Sequence, residues 1–126
     1  MSGIIYRIQD KDGRGPYKPG FSKTWIEGRE DHDNLGPGYI EFRRVDLLAH
    51  YGEHIGCGCR TLEQLRRWFT PLEHKRLQKH GYRAVKMKID RMLAESDVQC
   101  VFARNKPLKE DFEEVQIYDV SSQEGR

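Results

Sequence analysis

The first hydrophobic pattern along the chain predicts a short β-strand. Over residues 4–9, β-branched and aromatic side chains alternate with polar ones, which is the period of a strand with one buried face. The stretches 13–20 and 28–38 that follow are rich in glycine, proline and polar residues, and they predict loops. Because long loops in a small domain often carry function, we expect these two loops to cover a binding site.

Two consecutive helices form the clearest pattern in the middle of the chain. Thr61–Gln64 and Thr70–Glu73 both match the capping box, in which a Thr side chain and a Gln or Glu side chain satisfy free amides at a helix start. Helices are therefore predicted over residues 62–69 and 71–80, and Gly81 is a natural left-handed end for the second. The residues expected to pack these helices against a sheet are Leu62, Leu65, Trp68, Phe69, Leu72 and Leu77.

After the second helix the hydrophobic period becomes that of a strand. Alternation over residues 82–89 predicts a half-exposed strand, and further strands are expected at 98–103 and 114–118. The stretch 91–96 between them is expected to be helical or irregular. The order of the predicted elements is a strand and loops, then two helices, then several strands. This order favours an α+β fold over a doubly wound parallel sheet.

These elements predict a single α+β domain over residues 1–120 and a flexible polar tail over 121–126. The expected architecture is a mixed or antiparallel sheet with two consecutive helices packed on it. Six Tyr, five Phe and two Trp exclude the disordered class. No apolar run approaches the roughly 20 residues of a membrane helix. An odd number of cysteines, three, is typical of a reduced, cytoplasmic protein.

The formal net charge of +2 is unevenly distributed along the chain. Residues 60–91, the basic block, carry 10 Lys or Arg against 3 Asp or Glu. Residues 92–126 carry 4 against 8, and residues 1–59 carry 8 against 9. The basic block could contact a polyanion, or it could be a solvated face that the acidic end of the chain neutralises.

Four potential metal ligands lie within ten residues: His50, His54, Cys57 and Cys59. Zinc needs about four nitrogen or sulfur ligands, but its cysteine pairs are usually spaced by two to four residues. Here a single glycine separates the cysteines, so a glycine-rich turn before the first helix is the alternative, and we expect no metal.

Three short segments resemble the ADP-ribosyltransferase superfamily in its small, divergent forms. Residues 4–8 resemble its opening strand bearing Tyr-Arg, residues 56–64 its small-residue strand leading into a helix, and residues 98–102 its last strand, which the family enters at Glu. The chain as a whole also resembles small proteins encoded by bacteriophages and prophages.

The first resemblance implies an NAD site. Arg7 would contact the nicotinamide ribose or the phosphates, and Gln99 occupies the place of the catalytic Glu of the family. A neutral amide cannot compensate the positive charge of the transition state, so activity would be weak, or Glu95 or Asp97 would substitute, or the fold would be a binding scaffold. The catalytic candidates are Gln99 and Arg7, and the cofactor-binding candidates are Arg7, Tyr6, Phe21 and Ser22.

Strand alternation decides whether the two catalytic candidates can meet. Arg7 lies on the opposite strand face from Tyr6, and Gln99 on the opposite face from Cys100. Both side chains can therefore leave the core on a common polar side, with the turn at 56–59 beside them.

Three function classes follow from these patterns. The first is a phage-type protein on an ADP-ribosyltransferase-like scaffold that binds a host protein and modulates or inhibits a host (defence) factor. The second is NAD-dependent ADP-ribosyl transfer or NAD cleavage, with NAD as cofactor. The third is nucleic-acid binding through the basic block, although the helical period places Trp68 and Phe69 on the buried stripe, where they could not stack on bases.

Overall fold

The computed structural model of the 126-residue chain describes residues 3–16 and 45–118. Within these ranges the chain forms six strands, two α-helices and one short 3₁₀ helix. The elements are β1 (Gly3–Gln9), the 3₁₀ helix (Val45–Leu48), β2 (His54–Gly58), α1 (Leu62–Trp68), α2 (Pro71–Lys79), β3 (Arg83–Ile89), β4 (Arg91–Glu95), β5 (Cys100–Arg104) and β6 (Glu113–Glu114).

The strands form two antiparallel sheets of three strands each. The first sheet has the order β1-β3-β6 and the second the order β2-β5-β4. Tyr6 and Cys59 join the two sheets by exchanging backbone N–H···O bonds of 2.8 Å. The predicted α+β class with an antiparallel sheet is confirmed, although the strands divide into two sheets.

The first sheet packs against other elements on both faces, although its helix-side face is exposed at the Ile4 and Lys88 end. Ile8 and Ala84 face the helices and pack with Trp68 and Leu77 of α1 and α2. The opposite face packs on the second sheet and forms the inter-sheet layer. The buried apolar residues of this layer are Ile5, Val85, Met87, Ile89, Cys100 and Phe102.

Both helices begin at the predicted residues, but only α2 forms the complete capping box, because the Gln64 side chain at α1 accepts from Arg60 N instead of Thr61 N. The Thr61 side chain accepts a hydrogen bond from Gln64 N at the start of α1. At α2, Thr70 and Glu73 form the reciprocal box, and Pro71 occupies the first turn. One packing residue was wrongly expected in the core: Leu72 is 43% exposed. Glu73 lies one helical turn from Leu77 and shares its buried face, so Leu72 points away from it.

Three strand predictions differ from the structure. Residues 91–96, expected to be helical or irregular, contain β4, which pairs with β5 through a register shift between Met92 and Ala94. The strand expected at 114–118 is only the two-residue β6, and the glycine-rich stretch before α1 contains β2. Glycine and an irregular register hide the alternation that identifies strands in sequence.

Several expectations concern residues outside the described ranges. These are the loop at 28–38, the second half of the loop at 13–20, and the tail at 121–126. The single-domain boundary at residue 120 therefore stays a prediction. No helix in residues 3–16 and 45–118 is long and apolar enough to cross a bilayer.

A buried histidine in the helical layer predicts a pH-dependent stability. The His74 ring is 4% exposed, and it packs at a tilt on Tyr118 with ring centroids 6.0 Å apart. Burial, and then the charge of Arg83, lower the pKa of His74 below its ordinary value of 6.5. The unfolded chain therefore binds this proton more tightly than the folded chain, so stability is full above the ordinary pKa and declines as pH falls below it.

We expect the unfolding free energy to fall between pH 7 and pH 5, and urea titrations at several pH values measure this. The change His74→Gln should flatten the profile, whereas His80→Gln at an exposed position should leave the slope unchanged. An equal slope in wild type and His74→Gln would contradict this assignment.

Candidate functional site

Arg7 is the most unusual polar residue of the inter-sheet layer. It shares the strand face of Ile5, and its side chain passes under β2 at Gly56, where an added Cβ would lie 2.4 Å from Arg7 Nη1. Arg7 is 7% exposed, and its Nη2 donates to the Gly13 carbonyl at 3.2 Å. Its Nε and Nη1 atoms are buried without a hydrogen-bond partner. The absence of a side chain at Gly56 therefore makes room for this guanidinium.

The guanidinium of Arg7 keeps its charge at neutral pH. Burial lowers its pKa to about 10, and the electrostatic influence of Cys57 and of Asp10 opposes this shift. Asp10 is also engaged by the turn after β1, because its Oδ1 accepts hydrogen bonds from the backbone amides of Asp12 and Arg14. The inter-sheet layer thus contains a positive charge that it satisfies incompletely.

A second buried arginine shows how this fold satisfies a guanidinium fully. Arg104, at the end of β5, is 2% exposed. Its Nε and Nη2 donate to the carbonyls of Lys106 and Pro107 at 3.0 and 3.1 Å, and further bonds reach the carbonyls of Glu110 and Asp111. Arg104 therefore folds the loop after β5 around itself, whereas Arg7 has a single carbonyl partner.

A cavity of about 570 Å³ lies at the wall formed by Gly13 and Leu108. Its lining comes from residues 12–14, 53–55 and 107–109, so the turn after β1, the start of β2 and the loop after β5 form the walls of an open cleft. Gln9 Nε2 fixes one side by donating to the Leu108 carbonyl at 2.8 Å. Leu108 Cδ1 and Arg7 Nη1 both border the space that a Cβ on Gly56 would fill, so the guanidinium lies near the lining residue Leu108 but does not itself line the cavity.

Gln99 lies in different surroundings from Arg7. It is 5% exposed, and its backbone closes the turn before β5, since Ser96 N donates to Gln99 O at 2.8 Å. Gln99 precedes Cys100, which pairs with Gly58, whereas the Arg7 guanidinium lies near Phe102. Three residues of strand span about 10 Å. The register alone therefore does not bring Gln99 and Arg7 together, and their catalytic assignment stays a prediction.

The other residues assigned to the NAD site divide between two locations. Tyr6 packs against the core cluster beneath the helices, on the face of β1 opposite Arg7. Phe21 and Ser22 lie outside the described residues. Of the substitute carboxylates, Glu95 accepts hydrogen bonds from Arg60 Nε and Nη2 at 2.8 and 3.1 Å. These positions leave the cofactor-binding assignment a prediction.

Two of the three cysteines, Cys59 and Cys100, are buried, whereas Cys57 is exposed. Cys59 Sγ donates to the Val98 carbonyl at 3.7 Å, and burial raises the pKa of Cys59 and of Cys100 to about 12. Metal ligation and nucleophilic attack both need the thiolate, which these pKa values disfavour. Within residues 3–16 and 45–118, no group of three or more His, Cys, Asp or Glu side chains could hold a metal ion.

The basic block is partly neutralised by acidic residues from elsewhere in the chain. Among the described residues, at least four of its basic residues form ion pairs with Glu side chains outside the block. Trp68 and Phe69 are 6% and 4% exposed, as the helical period predicts. They are therefore unavailable for stacking on bases. The ion pairs are Arg60–Glu95, Arg83–Glu114, Lys86–Glu113 and Arg91–Glu53.

An exposed apolar patch, which the sequence reasoning missed, lies between the 3₁₀ helix and β2. Leu47 and Leu48 are 67% and 54% exposed, Tyr51 is fully exposed, and Ile55 is partly exposed. We call these four residues the apolar patch. Their closeness in sequence was visible, but only the structure shows that the second sheet leaves them exposed. Scattered exposed apolar residues are ordinary, whereas a local group of them marks an interaction surface.

Arg91 holds the backbone of the apolar patch in place. Its Nη2 donates to the Leu48 carbonyl at 2.6 Å and to Glu53 Oε1 at 3.0 Å. Glu53 Oε1 in turn accepts from His50 N at 2.6 Å. Hydrogen bonds from Arg91 and from the His50 backbone lower the pKa of Glu53 to about 2. The connection that carries the patch is therefore pinned to β4.

The strand beside the patch is an edge strand. In the order β2-β5-β4, β2 pairs with β5 on one side only. The other side of β2 is bridged to β1 at Cys59, just beyond its end. Within the described part of the chain, no strand pairs with that side from His54 to Gly56. Unpaired backbone groups on an edge can accept a strand from a partner.

Residues 3–16 and 45–118 define a small α+β protein with two antiparallel sheets and a two-helix layer. A family model described as Bacteriophage T4 Y00F protein matches residues 1–119. The chain therefore belongs to the bacteriophage T4 Y00F protein family, which agrees with its resemblance to phage-encoded proteins. No curated protein and no solved structure matches the chain significantly.

Proposed function

We propose that this phage-family protein is a binding protein that modulates or inhibits a host (defence) factor through its apolar patch. The observation that carries the proposal is the exposure of Leu47, Leu48 and Tyr51 on a connection pinned by Arg91. Burying such side chains against a partner is favourable by about 25 cal/mol per Å² of apolar surface. A pinned backbone also loses little conformational entropy on binding.

The composition of the patch supports a protein partner. Tyr51 offers a large side chain with a polar end, which is the type of residue that dominates protein interfaces. Ile55 lies beside it on the edge strand β2, so a partner could contact the patch and add a strand at the same time. The partner that fits best is a host protein with an apolar surface and an accessible strand.

We expect Tyr51→Ala and Leu47→Asp each to weaken binding of the host partner by about tenfold or more, since both side chains would be central contacts. The unfolding free energy should change by less than about 0.5 kcal/mol, because both residues are exposed. The partner is captured from host lysate with the tagged protein, purified, and titrated by calorimetry.

Leu72→Asp is the matched control, because Leu72 is also an exposed leucine but lies on α2, in the layer beyond the first sheet. It should leave the affinity unchanged. Equal affinities of wild type, Tyr51→Ala and Leu47→Asp for the purified partner would refute the proposal.

NAD-dependent ADP-ribosyl transfer or NAD cleavage is the second candidate function. The buried, incompletely satisfied guanidinium of Arg7 beside a cavity favours it. Gln99 lies beyond the Cys100 end of β5, three residues from Phe102, which is the residue near the Arg7 guanidinium, and this position weighs against it. Release of nicotinamide from NAD by the wild type would favour this candidate, whereas release by Gln99→Glu alone would indicate a degenerate catalytic site on a binding scaffold.

Nucleic-acid binding through the basic block is the third candidate. Arg67, Lys75 and Lys79 keep exposed positive charge on α1 and α2. The buried rings of Trp68 and Phe69 remove the stacking contribution. An affinity for DNA or RNA that falls steeply with salt would support this candidate, because phosphate contacts release counterions.

A further inference from the structure

The last described residues, 115–118, cross from the first sheet to the helical layer, and we call them the strap. Val115 N donates to the Ala84 carbonyl at 2.9 Å, beside the pairing of β6 with β3. Ile117 is fully buried in the core cluster beneath the helices, and its carbonyl accepts a hydrogen bond from Arg66 Nε of α1. The strap is therefore tied to β3 at one end and to α1 at the other.

The end of the strap packs on a buried histidine of α2. The Tyr118 ring lies at a tilt on the His74 ring, and its hydroxyl donates to the Phe69 carbonyl at the end of α1. The Nδ1 atom of His74 is buried without a hydrogen-bond partner. An imidazolium donates from both of its ring nitrogens, so a proton bound here leaves a buried donor unsatisfied and places a charge away from water. The closed strap therefore disfavours protonation of His74.

The charged groups of the surrounding elements do not offset this effect. Glu73, next to His74 on α2, accepts a backbone amide in the capping box, and Glu114 of β6 pairs with Arg83 at 3.7 Å. The basic groups are Arg83 of β3 and Arg66 of α1, and the strap itself has no charged side chain. Burial, and then the charge of Arg83, lower the pKa of His74 below its ordinary value.

We propose that the strap is acid-sensitive: protonation of His74 releases residues 115–118 from the helical layer while both sheets stay folded. Release gives the imidazolium access to water and breaks the contacts of one short segment. The pairing of β1 with β3 and the pairing within the second sheet contain no residue of the strap, so they persist. This device is separate from the proposed host-binding function, because no residue of the apolar patch takes part in it.

The direction of the pH dependence follows from proton linkage. The open strap leaves His74 with its ordinary pKa of 6.5, whereas the closed strap lowers that pKa. The open state therefore binds the proton more tightly. The closed state keeps its full stability above the ordinary pKa and loses it as the pH falls below that value.

Hydrogen exchange of the ¹⁵N-labelled full chain separates local release from global unfolding. The Val115 amide reports on the strap, and the Ile5 amide of β1, opposite Met87, reports on the first sheet. The protection factor of Val115 should fall by about fivefold or more between pH 7 and pH 5, and low concentrations of urea should not change it. Ile5 should be about tenfold or more better protected than Val115, and urea should lower its protection.

Two variants connect the release to the histidine. His74→Gln should remove the pH dependence of Val115 protection, whereas His80→Gln at the exposed end of α2 should leave it unchanged. If His74→Gln does not fold, Tyr118→Ala replaces it. Because this variant removes the ring that packs on His74, the pKa of His74, followed by its ring proton signals, should rise towards its ordinary value.

Three results would overturn the proposal. The first is equal protection and equal urea dependence of Val115 and Ile5, which would mean that the strap opens only when the whole domain unfolds. The second is an unchanged pH dependence of Val115 protection in His74→Gln. The third is an unchanged pKa of His74 in Tyr118→Ala, where that variant is used.

Discussion

Trp68→Ala should lower the unfolding free energy by about 3–5 kcal/mol, which would unfold a large fraction of a marginally stable domain. Trp68 is 6% exposed and joins α1 to the core cluster beneath the helices. Its indole Nε1 also donates to the Val98 carbonyl at 2.8 Å, which ties the helix to the turn before β5. Truncation thus removes both apolar contacts and a partly buried hydrogen bond.

Urea unfolding followed by circular dichroism measures this change, with Leu72→Ala as the control on the neighbouring helix. Leu72 is 43% exposed, so its truncation should cost less than about 1 kcal/mol. If Trp68→Ala were as stable as wild type, the helical layer would not be packed on the first sheet through this residue.

Gly56→Ala should destabilise the protein by about 1–3 kcal/mol, although it adds only one methyl group. The new Cβ would lie 2.4 Å from Arg7 Nη1, 2.8 Å from Phe102 Cζ and 2.9 Å from Leu108 Cδ1. Arg7 and Phe102 are buried, so neither can move without disturbing the inter-sheet layer. Thermal and urea unfolding of the variant measure the cost.

Gly3→Ala is the control for this substitution, because Gly3 also lies in a strand but its added Cβ would meet only Arg60 Nη1, at 3.6 Å. Its stability should stay within about 0.5 kcal/mol of wild type. Equal stability of Gly56→Ala and Gly3→Ala would mean that the Arg7 side chain does not occupy the space under β2.

The helical half of the fold could be predicted from sequence because its signals are local. The boxes at Thr61 and Thr70 define where α1 and α2 begin, and the helical period correctly buries Trp68 and Phe69. Strand β2 lacks such a signal. Two of its five residues are glycine, so its side chains show no alternation of apolar and polar character. Glycine there reflects a neighbour in space, Arg7, which sequence spacing does not reveal.

The candidate site shows the same division between local and long-range information. The alternation of β1 correctly separates Arg7 from Tyr6, and it also requires Arg7 to share the buried face of Ile5. The sequence does not distinguish Arg7 from Arg104. Only the structure shows that carbonyls surround the Arg104 guanidinium, whereas Nε and Nη1 of Arg7 lack hydrogen-bond partners. The apolar patch was missed because hydrophobicity alone does not distinguish an exposed Leu47 from a core leucine.

Site-specific photo-crosslinking in host cells tests the proposed host-binding function most directly. A benzophenone amino acid replaces Tyr51 in one variant and Leu72 in another, and the adducts are identified by mass spectrometry after irradiation. Both positions are exposed, but only Tyr51 belongs to the apolar patch. We predict that position 51 captures one defined host protein that position 72 does not. Capture of the same proteins from both positions, or capture from position 72 alone, would contradict the account.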